Sequence, residues 1–250
     1  MKKLTLREKS ILAGLYLSKF DTNGLKFLGF DSFTEAFNVI GLALNVQPAS
    51  VKNYRDEFDP LFPNKRQGWH KRGIREYCKK IYDNFHNLDL ANFSTLLKKI
   101  IYKNQDLDVL MEEVAKKEGD KESSFAKRLI TGQAAEQYFK DNFLSIDLFR
   151  GYKIEDTTKI GCGFDFKLIK DEKEDYLSVE VKGLNESKGN IALTNKEYMV
   201  ANLLSKRYFI FLVKNFKEKP SHKIFRDPTN SLIFNRIENR ITQISWNTLI

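Results

Sequence analysis

The sequence is poor in residues that disulfide-rich or metal-clustered domains require. Only two cysteines, Cys78 and Cys162, occur among 250 residues, which excludes a disulfide framework and a cysteine-based zinc site. Three scattered histidines exclude a histidine-rich metal cluster. No apolar run approaches the roughly 20 residues of a membrane span, and the N-terminus lacks the apolar segment of a secretion signal. We therefore expect a cytoplasmic protein that has no membrane partner.

Positive charge is concentrated in the first part of the chain. Residues 1–105 carry 18 Lys and Arg against 10 Asp and Glu, whereas residues 106–250 carry 24 against 23. The densest stretch, residues 65–80, has seven basic residues and one acidic residue, interleaved with Trp69 and Tyr77. A polyanion such as nucleic acid is the natural partner of such a stretch, because cations neutralise phosphates and release counterions. A solvated basic surface would explain the charge equally well.

Apolar residues at helical spacing predict a helical domain over residues 1–111, with helices that include 71–86 and 90–103. Residues 112–124 are rich in charge and poor in bulky apolar groups, so we expect a linker there. Helical periodicity resumes at Phe125 and then gives way to period two, which indicates strands in a second domain over residues 125–250.

Two of the predicted helices have the dimensions of a DNA-reading helix–turn–helix. A capping-box pattern from Ser32 to Glu35 opens a helix over 33–44, and Pro48 suits the first turn of a second helix over 48–57. Helical hairpins of this spacing also occur without any ligand. If the second helix reads DNA, its outward side chains are the base-contacting candidates: Gln47, Ser50, Lys52 and Asn53. Phosphate contacts are expected from the basic stretch: Lys65, Arg66, Lys71, Arg72 and Arg75.

Two alternating segments in the second domain place polar residues on one face of a predicted hairpin. In the first segment Phe164, Phe166 and Leu168 alternate with Asp165 and should fill a core face. The second segment, 176–184, has its valines on the core face. Its Glu180 and Lys182 should then lie on the same side as Asp165 if the two strands pair.

This grouping has the chemistry of a magnesium-dependent phosphodiesterase. The carboxylates of Asp165 and Glu180, with the backbone carbonyl of Val181, can bind Mg²⁺, which usually takes one or two carboxylates together with water and phosphate oxygens. Lys182 could orient the attacking water and stabilise developing charge. The alternative is a surface hairpin with one Asp and a Glu–Lys pair.

Residues 125–215 resemble the core of the PD-(D/E)xK nuclease superfamily. Gly163-Phe164-Asp165 stands where that family often has Pro-Asp, and Glu180-Val181-Lys182 matches its second motif. Segments 189–197 and 208–213 resemble, more narrowly, the DUF3883 branch, which is frequent in restriction and other defence nucleases. The predicted fold class is α+β. The helical periodicity predicts an all-helical, helix–turn–helix-like N-terminal domain, and the resemblance implies an α/β nuclease core after it, with a mixed sheet flanked by helices.

The resemblance also suggests a role for Glu136, since some members place a helical acid beside the metal; a solvated helical glutamate is the alternative. For Glu197 we prefer simple helix capping, because Thr194 and Glu197 form a capping-box pattern.

The function implied is that of a Type II restriction endonuclease. Such an enzyme is Mg²⁺-dependent, cuts a specific sequence in double-stranded DNA as a homodimer, and is paired with a cognate DNA methyltransferase. The sequence has no Gly-x-x-x-x-Gly-Lys-Ser/Thr motif, so no nucleotide cofactor is expected. The alternatives are a repair or modification-dependent nuclease, or a DNA-binding regulator whose nuclease-like domain is inactive.

Overall fold

The computed structural model describes residues 4–101, 120–170, 176–238 and 248, with the side chains of 120–126 left aside. The first of these segments contains only helices: α1 (Leu6–Leu28), α2 (Phe33–Ala43), α3 (Pro48–Phe58), α4 (Glu76–Phe85) and α5 (Leu90–Ile101). Within the described residues, no helix combines the length and the apolar character needed to cross a membrane.

The helix starts have local causes that are visible in the sequence. The Ser32 hydroxyl accepts a hydrogen bond from the N–H of Glu35 at 3.1 Å, and Pro48 occupies the first turn of α3. Both predicted helices of the helix–turn–helix therefore form. The helix predicted over 71–86 begins only at Glu76. Its start is delayed because the N–H of Arg75 donates to the buried Glu57 carboxylate at 2.8 Å, which holds Arg75 in an extended conformation.

The second half of the chain forms a mixed sheet with helices on both faces. A long helix, α6 (Asp120–Asn142), precedes five strands in sheet order: β1 (Lys153–Asp156), β2 (Phe166–Ile169), β3 (Tyr176–Leu184), β4 (Tyr208–Lys214) and β5 (Ser221–Arg226). The pair β3–β4 is parallel and is connected through α7 (Asn195–Leu204), whereas the other neighbouring strands are antiparallel. A short helix, α8 (Pro228–Ser231), follows β5. The predicted α+β class is confirmed.

The two faces of the sheet belong to different clusters of buried side chains. Phe166 and Val179 pack with residues of α6, whereas Tyr208 packs with Ala201 of α7 on the opposite face. Phe164 is buried as predicted, but it lies in the α7 cluster and not beside Phe166, so the predicted face was wrong. The alternation fails there because β2 begins only at Phe166.

The helical region packs directly on the sheet region. The Gln133 side chain of α6 donates to the carbonyl of Ala43 at 2.7 Å, and Asn38 of α2 donates to the carbonyl of Phe216 at 2.7 Å. A single apolar cluster contains residues from α1, α2, α6 and one face of the sheet. Residues 112–119 of the predicted linker lie outside the described residues, and α6 begins at Asp120, within the predicted linker. The two-domain boundary stays a prediction.

Candidate active site

Asp165 lies immediately before β2, with its side chain against β3. Its N–H donates to the carbonyl of Val179 at 3.1 Å, and its Oδ2 accepts a hydrogen bond from the N–H of Val181 at 2.8 Å. Antiparallel pairing of β2 with β3, in which Phe166 is opposite Val179, produces this arrangement. The hairpin predicted from the alternation is therefore present, and it brings Asp165 next to the strand that carries Glu180.

Lys182 connects the hairpin to α7. Its Nζ lies 2.6 Å from Oε1 of Glu180 and 2.7 Å from Oε2 of Glu197. Glu180 and Lys182 share one face of β3 because side chains two residues apart in a strand point the same way. Asp165, Glu180 and Lys182 thus converge as predicted, and Glu197 joins them from the first turn of α7.

Glu197 is the site residue that the sequence interpretation missed. The capping box is real: the N–H of Glu197 donates to the Thr194 hydroxyl at 3.2 Å, and the Glu197 carboxylate accepts from the N–H of Thr194 at 3.0 Å. The same Oε2 atom also accepts from Lys182. Glu197 therefore caps α7 and contacts Lys182 at the same time. A third carboxylate at a helix start shortly after a Glu-x-Lys strand is the signal that could have revealed this second contact.

The site holds more negative than positive charge in a buried environment. Glu180 is only 4% exposed. Burial raises the pKa of Asp165 to about 6 and that of Glu180 to about 9, and the negative charges of neighbouring carboxylates push both in the same direction. Burial alone would lower the pKa of Lys182, but Glu180 and Glu197 raise it overall, so the ammonium stays charged. Among the residues that the structure describes, Lys182 is the cation in contact with this group of three carboxylates.

This donor set fits Mg²⁺. Among residues 4–101, 120–170 and 176–238, no three His, Cys, Asp or Glu side chains are grouped so that they alone could hold a metal ion. Mg²⁺ requires less, because one or two carboxylates with water and phosphate oxygens complete its shell. Asp165 and Glu180 supply two carboxylates whose pKa values are raised by burial and, to a smaller extent, by neighbouring carboxylates, and a bound cation would favour their ionised forms. The participation of the Val181 carbonyl stays a prediction.

Glu136 lies in a different environment. It is on α6 and lines a cavity together with Lys140 and Asp156. The opposite face of the sheet carries the hydrogen-bonded group formed by Glu180, Lys182 and Glu197. A direct catalytic role for Glu136 stays a prediction.

The predicted base-contacting residues lie at the surface of α3. Gln47, Lys52 and Asn53 are exposed, and Ser50 is half-buried. The Lys52 ammonium forms an ion pair with Asp56 at 3.1 Å. The outward placement inferred from the apolar spacing is observed, and contact with DNA stays a prediction.

Part of the basic stretch is held by a buried acid. Arg72 and Arg75 form ion pairs with Glu57 at 2.6 and 2.9 Å, and Glu57 is almost completely buried. Both guanidinium groups also lie over the ring of Trp69, at 4.6 and 5.1 Å from its centroid. These two arginines therefore stabilise the loop between α3 and α4, whether or not they contact a polyanion.

Arg66 is held in a similar way. It forms ion pairs with the buried Asp59 at 2.9 Å and with Asp21 at 2.7 Å. Lys65 and Lys71 are exposed, which makes them the most accessible cations for phosphate among the five predicted in the basic stretch.

Comparison with known proteins supports the nuclease-like part of the interpretation. Residues 135–226 match the family model described as Protein NO VEIN, C-terminal, which belongs to a PD-(D/E)xK-like nuclease family. The match covers just over a third of the chain and includes Asp165, Glu180, Lys182 and Glu197. Neither a curated protein nor a solved structure was found to match the chain. The family match at residues 135–226 is thus to a PD-(D/E)xK-like nuclease domain, and it points to no individual enzyme.

Proposed function

We propose that this protein is a Mg²⁺-dependent endonuclease that cuts double-stranded DNA at a specific sequence, as Type II restriction enzymes do. The observation that carries the proposal is the contact of Lys182 with both Glu180 and Glu197, beside Asp165, on one face of the β2–β3 hairpin. A structural ion pair would need one carboxylate for one lysine. Additional buried carboxylates cost stability, and a site for a cation explains their presence.

In this proposal Asp165 and Glu180 would hold Mg²⁺ together with the Val181 carbonyl. The chemistry supplied by Mg²⁺ at this position would be Lewis-acid polarisation of the scissile phosphate and easier ionisation of an attacking water. Lys182 orients that water through its ammonium group and stabilises the negative charge that develops on the phosphate oxygens. Glu197 is a positioning residue, since its carboxylate contacts the Lys182 ammonium together with that of Glu180.

The helical region supplies the DNA-binding surface in this proposal. The exposed side of α3 carries Lys52 and Asn53, and the first 105 residues hold nearly all of the excess positive charge. Asparagine can form a bidentate pair with adenine in the major groove, while lysine contacts phosphates. Because α2 is hydrogen-bonded to the sheet region through Asn38, DNA held by α3 would be presented at a defined distance from the active site.

The cellular setting follows from the enzyme class. Cleavage of both strands requires two active sites, so we propose a homodimer. A restriction enzyme also needs a cognate DNA methyltransferase to protect the host, and cytoplasmic localisation agrees with the low cysteine content.

The test is incubation of the full-length protein with unmethylated phage DNA in Mg²⁺ and in EDTA. Discrete fragments in Mg²⁺ alone support the proposal. A smear of products would indicate a nonspecific or repair nuclease. Cleavage of modified DNA, tested in parallel, but not of unmethylated DNA would indicate a modification-dependent enzyme. Binding without cleavage would favour a regulator with an inactive nuclease-like domain.

A further inference from the structure

A cavity of about 300 Å³ lies between α6 and the turn that follows β1, outside the group formed by Asp165, Glu180, Lys182 and Glu197. This space, the α6 cavity, is lined by polar and apolar groups in about equal measure, and Arg128, Lys140 and Lys159 are among its lining residues. Its volume is at the lower end of the roughly 300–1,000 Å³ typical of small-molecule sites, so it suits a group the size of one nucleotide. The residues used in the argument are Arg128, Gly132, Lys140, Asp156 and Lys159.

Gly132 keeps this cavity open at a cost in stability. It lies inside the 23-residue helix α6, where glycine is less favourable than alanine because of its greater backbone freedom when unfolded. A Cβ built at Gly132 would meet no heavy atom of the described residues within 4 Å. Gly183 is different, because a Cβ there would lie 2.9 Å from the carbonyl oxygen of Thr131. Packing explains Gly183, whereas an open cavity explains Gly132.

The charges around the cavity favour an anionic group. Asp156 is already neutralised, since its carboxylate accepts from Lys140 Nζ at 2.6 Å and from the N–H and hydroxyl of Thr158 at 3.1 and 2.6 Å. Arg128 adds positive charge to the lining. Lys159 is exposed and has no hydrogen bond or ion pair to any described residue. Its ammonium is therefore available to a phosphate.

The cavity adjoins the candidate active site through the backbone. Asp156 pairs with Phe166 across β1–β2, and the N–H of the next residue, Thr157, donates to the carbonyl of Asp165 at 2.9 Å. The cavity is on the α6 face of the sheet and the Glu180–Lys182–Glu197 group is on the opposite face, while Asp165 precedes β2 next to the edge strand β1. A strand of nucleic acid that is cut at Asp165 and passes around the edge of β1 would therefore have an adjoining nucleotide near this turn. We propose that the α6 cavity binds the nucleotide next to the scissile phosphate, with its phosphate on Lys159 and its base or sugar above Gly132. This inference rests on the proposed nuclease function.

The experiment measures binding of a fluorescein-labelled duplex to the full-length protein in EDTA, by fluorescence anisotropy, so that cleavage does not contribute. Gly132→Leu fills the cavity, and Lys159→Ala removes the available cation. Lys153→Ala is the matched control, because it removes an exposed lysine from β1 at a position that does not line the cavity. Thermal unfolding of each variant is measured alongside.

We expect Lys159→Ala to weaken binding at least tenfold, since a charge-assisted hydrogen bond is worth at least that factor. Gly132→Leu should weaken binding as much, because the leucine side chain takes the space of the nucleotide that Lys159 contacts. Lys153→Ala should weaken binding by less than threefold, in keeping with a general electrostatic contribution. Gly132→Leu should unfold at the same temperature as the wild type or at a higher one, because leucine is the better helix former. Loss of binding with gain of stability is not expected from damaged packing.

Binding by Gly132→Leu within twofold of the wild type, or equal losses in Lys159→Ala and Lys153→Ala, would overturn the cavity assignment. Failure of the wild type to bind the duplex would overturn this assignment and the proposed function together. Binding that depends on the cavity, without any cleavage in Mg²⁺, would support the cavity as a binding site and would contradict the proposed nuclease activity.

Discussion

Glu180 destabilises the metal-free protein at neutral and alkaline pH, so Glu180→Gln should stabilise it there. Glutamine keeps the shape of the side chain and can still accept a hydrogen bond from Lys182, but it carries no charge. Lys182 retains its second carboxylate partner, Glu197, at 2.7 Å. The variant therefore removes one buried charge without leaving the lysine unpaired.

The sign of the pH dependence follows from the raised pKa values of Asp165, to about 6, and Glu180, to about 9. Their unfolded-state values are near 4, so between those limits the folded protein binds more protons than the unfolded chain. The free energy of unfolding must then fall as the pH rises through that window. The stability that the two protonated carboxyl groups contribute is fully present below the unfolded pKa values, and it is lost as the pH rises through the folded pKa values and the groups ionise.

The expected pH-dependent difference in the free energy of unfolding between Glu180→Gln and the wild type is a few kilocalories per mole. One pKa unit corresponds to about 1.4 kcal/mol, and the pKa of Glu180 rises from its ordinary 4.5 to about 9, so the part of this window below pH 8 represents about 4–5 kcal/mol. This raised value already includes the opposing effect of the Lys182 ammonium at 2.6 Å. We expect the free energy of unfolding of Glu180→Gln, relative to that of the wild type, to be about 4–5 kcal/mol higher at pH 8 than at acidic pH, or roughly 10–15 °C in melting temperature.

The assay is thermal unfolding of wild type and Glu180→Gln across this pH range, first in EDTA and then with excess MgCl₂. Taking the difference between the two proteins cancels the titration of the groups that do not interact with Glu180. Mg²⁺ should raise the melting temperature of the wild type more than that of the variant, because a ligand that binds only the folded state stabilises it. A difference in melting temperature between the two proteins that is the same at every pH would refute the reasoning, and so would equal stabilisation of both proteins by Mg²⁺.

Three further predictions concern neighbouring parts of the structure. Glu197→Gln keeps a residue that can complete the capping box, so the melting temperature should change little, while the cleavage rate should fall about 10–100-fold. Thr194→Ala should have the reverse effect, with a loss of about 1 kcal/mol of stability and little loss of activity. Cleavage kinetics and thermal unfolding of both variants measure these effects. Asn53→Ala should cost roughly 1–3 kcal/mol of binding to the cognate sequence only, whereas Lys71→Ala should weaken all sequences alike and flatten the salt dependence; undiminished discrimination by Asn53→Ala would place base reading elsewhere. Asn38→Ala removes two hydrogen bonds to carbonyls of the sheet region and should cost about 1–3 kcal/mol in denaturant unfolding, and an unchanged midpoint would contradict that role.

Local patterns predicted the parts of the site that lie within one strand or one hairpin. The bounds of β3, Tyr176 to Leu184, agree with the alternating segment 176–184, in whose middle Ser178, Glu180 and Lys182 alternate with Val179 and Val181. The alternation did not predict that Glu180 is as buried as the valines. The same alternation predicted that Glu180 and Lys182 share a face and that Asp165 approaches them across the hairpin.

Contacts between distant elements were not predictable in this way. The Lys182–Glu197 contact joins a strand to a helix 15 residues further on, and nothing in the local pattern of either element requires it. The burial of Glu57 beneath Arg72 and Arg75 is likewise a tertiary effect, since α3 shows no local sign of a buried acid. The sequence therefore showed that residues 65–80 are basic, but it did not show that two of their arginines pair with a buried carboxylate.

The most direct test of the central claim is metal-dependent cleavage by a protein that differs only at Asp165. Wild type and Asp165→Ala are incubated with supercoiled plasmid in Mg²⁺ and in EDTA, and DNA binding by both is measured in EDTA. The account predicts cleavage only by the wild type and only in Mg²⁺, with similar DNA binding and folded-state spectra for the two proteins. Cleavage by Asp165→Ala at a rate close to that of the wild type in Mg²⁺ would contradict it.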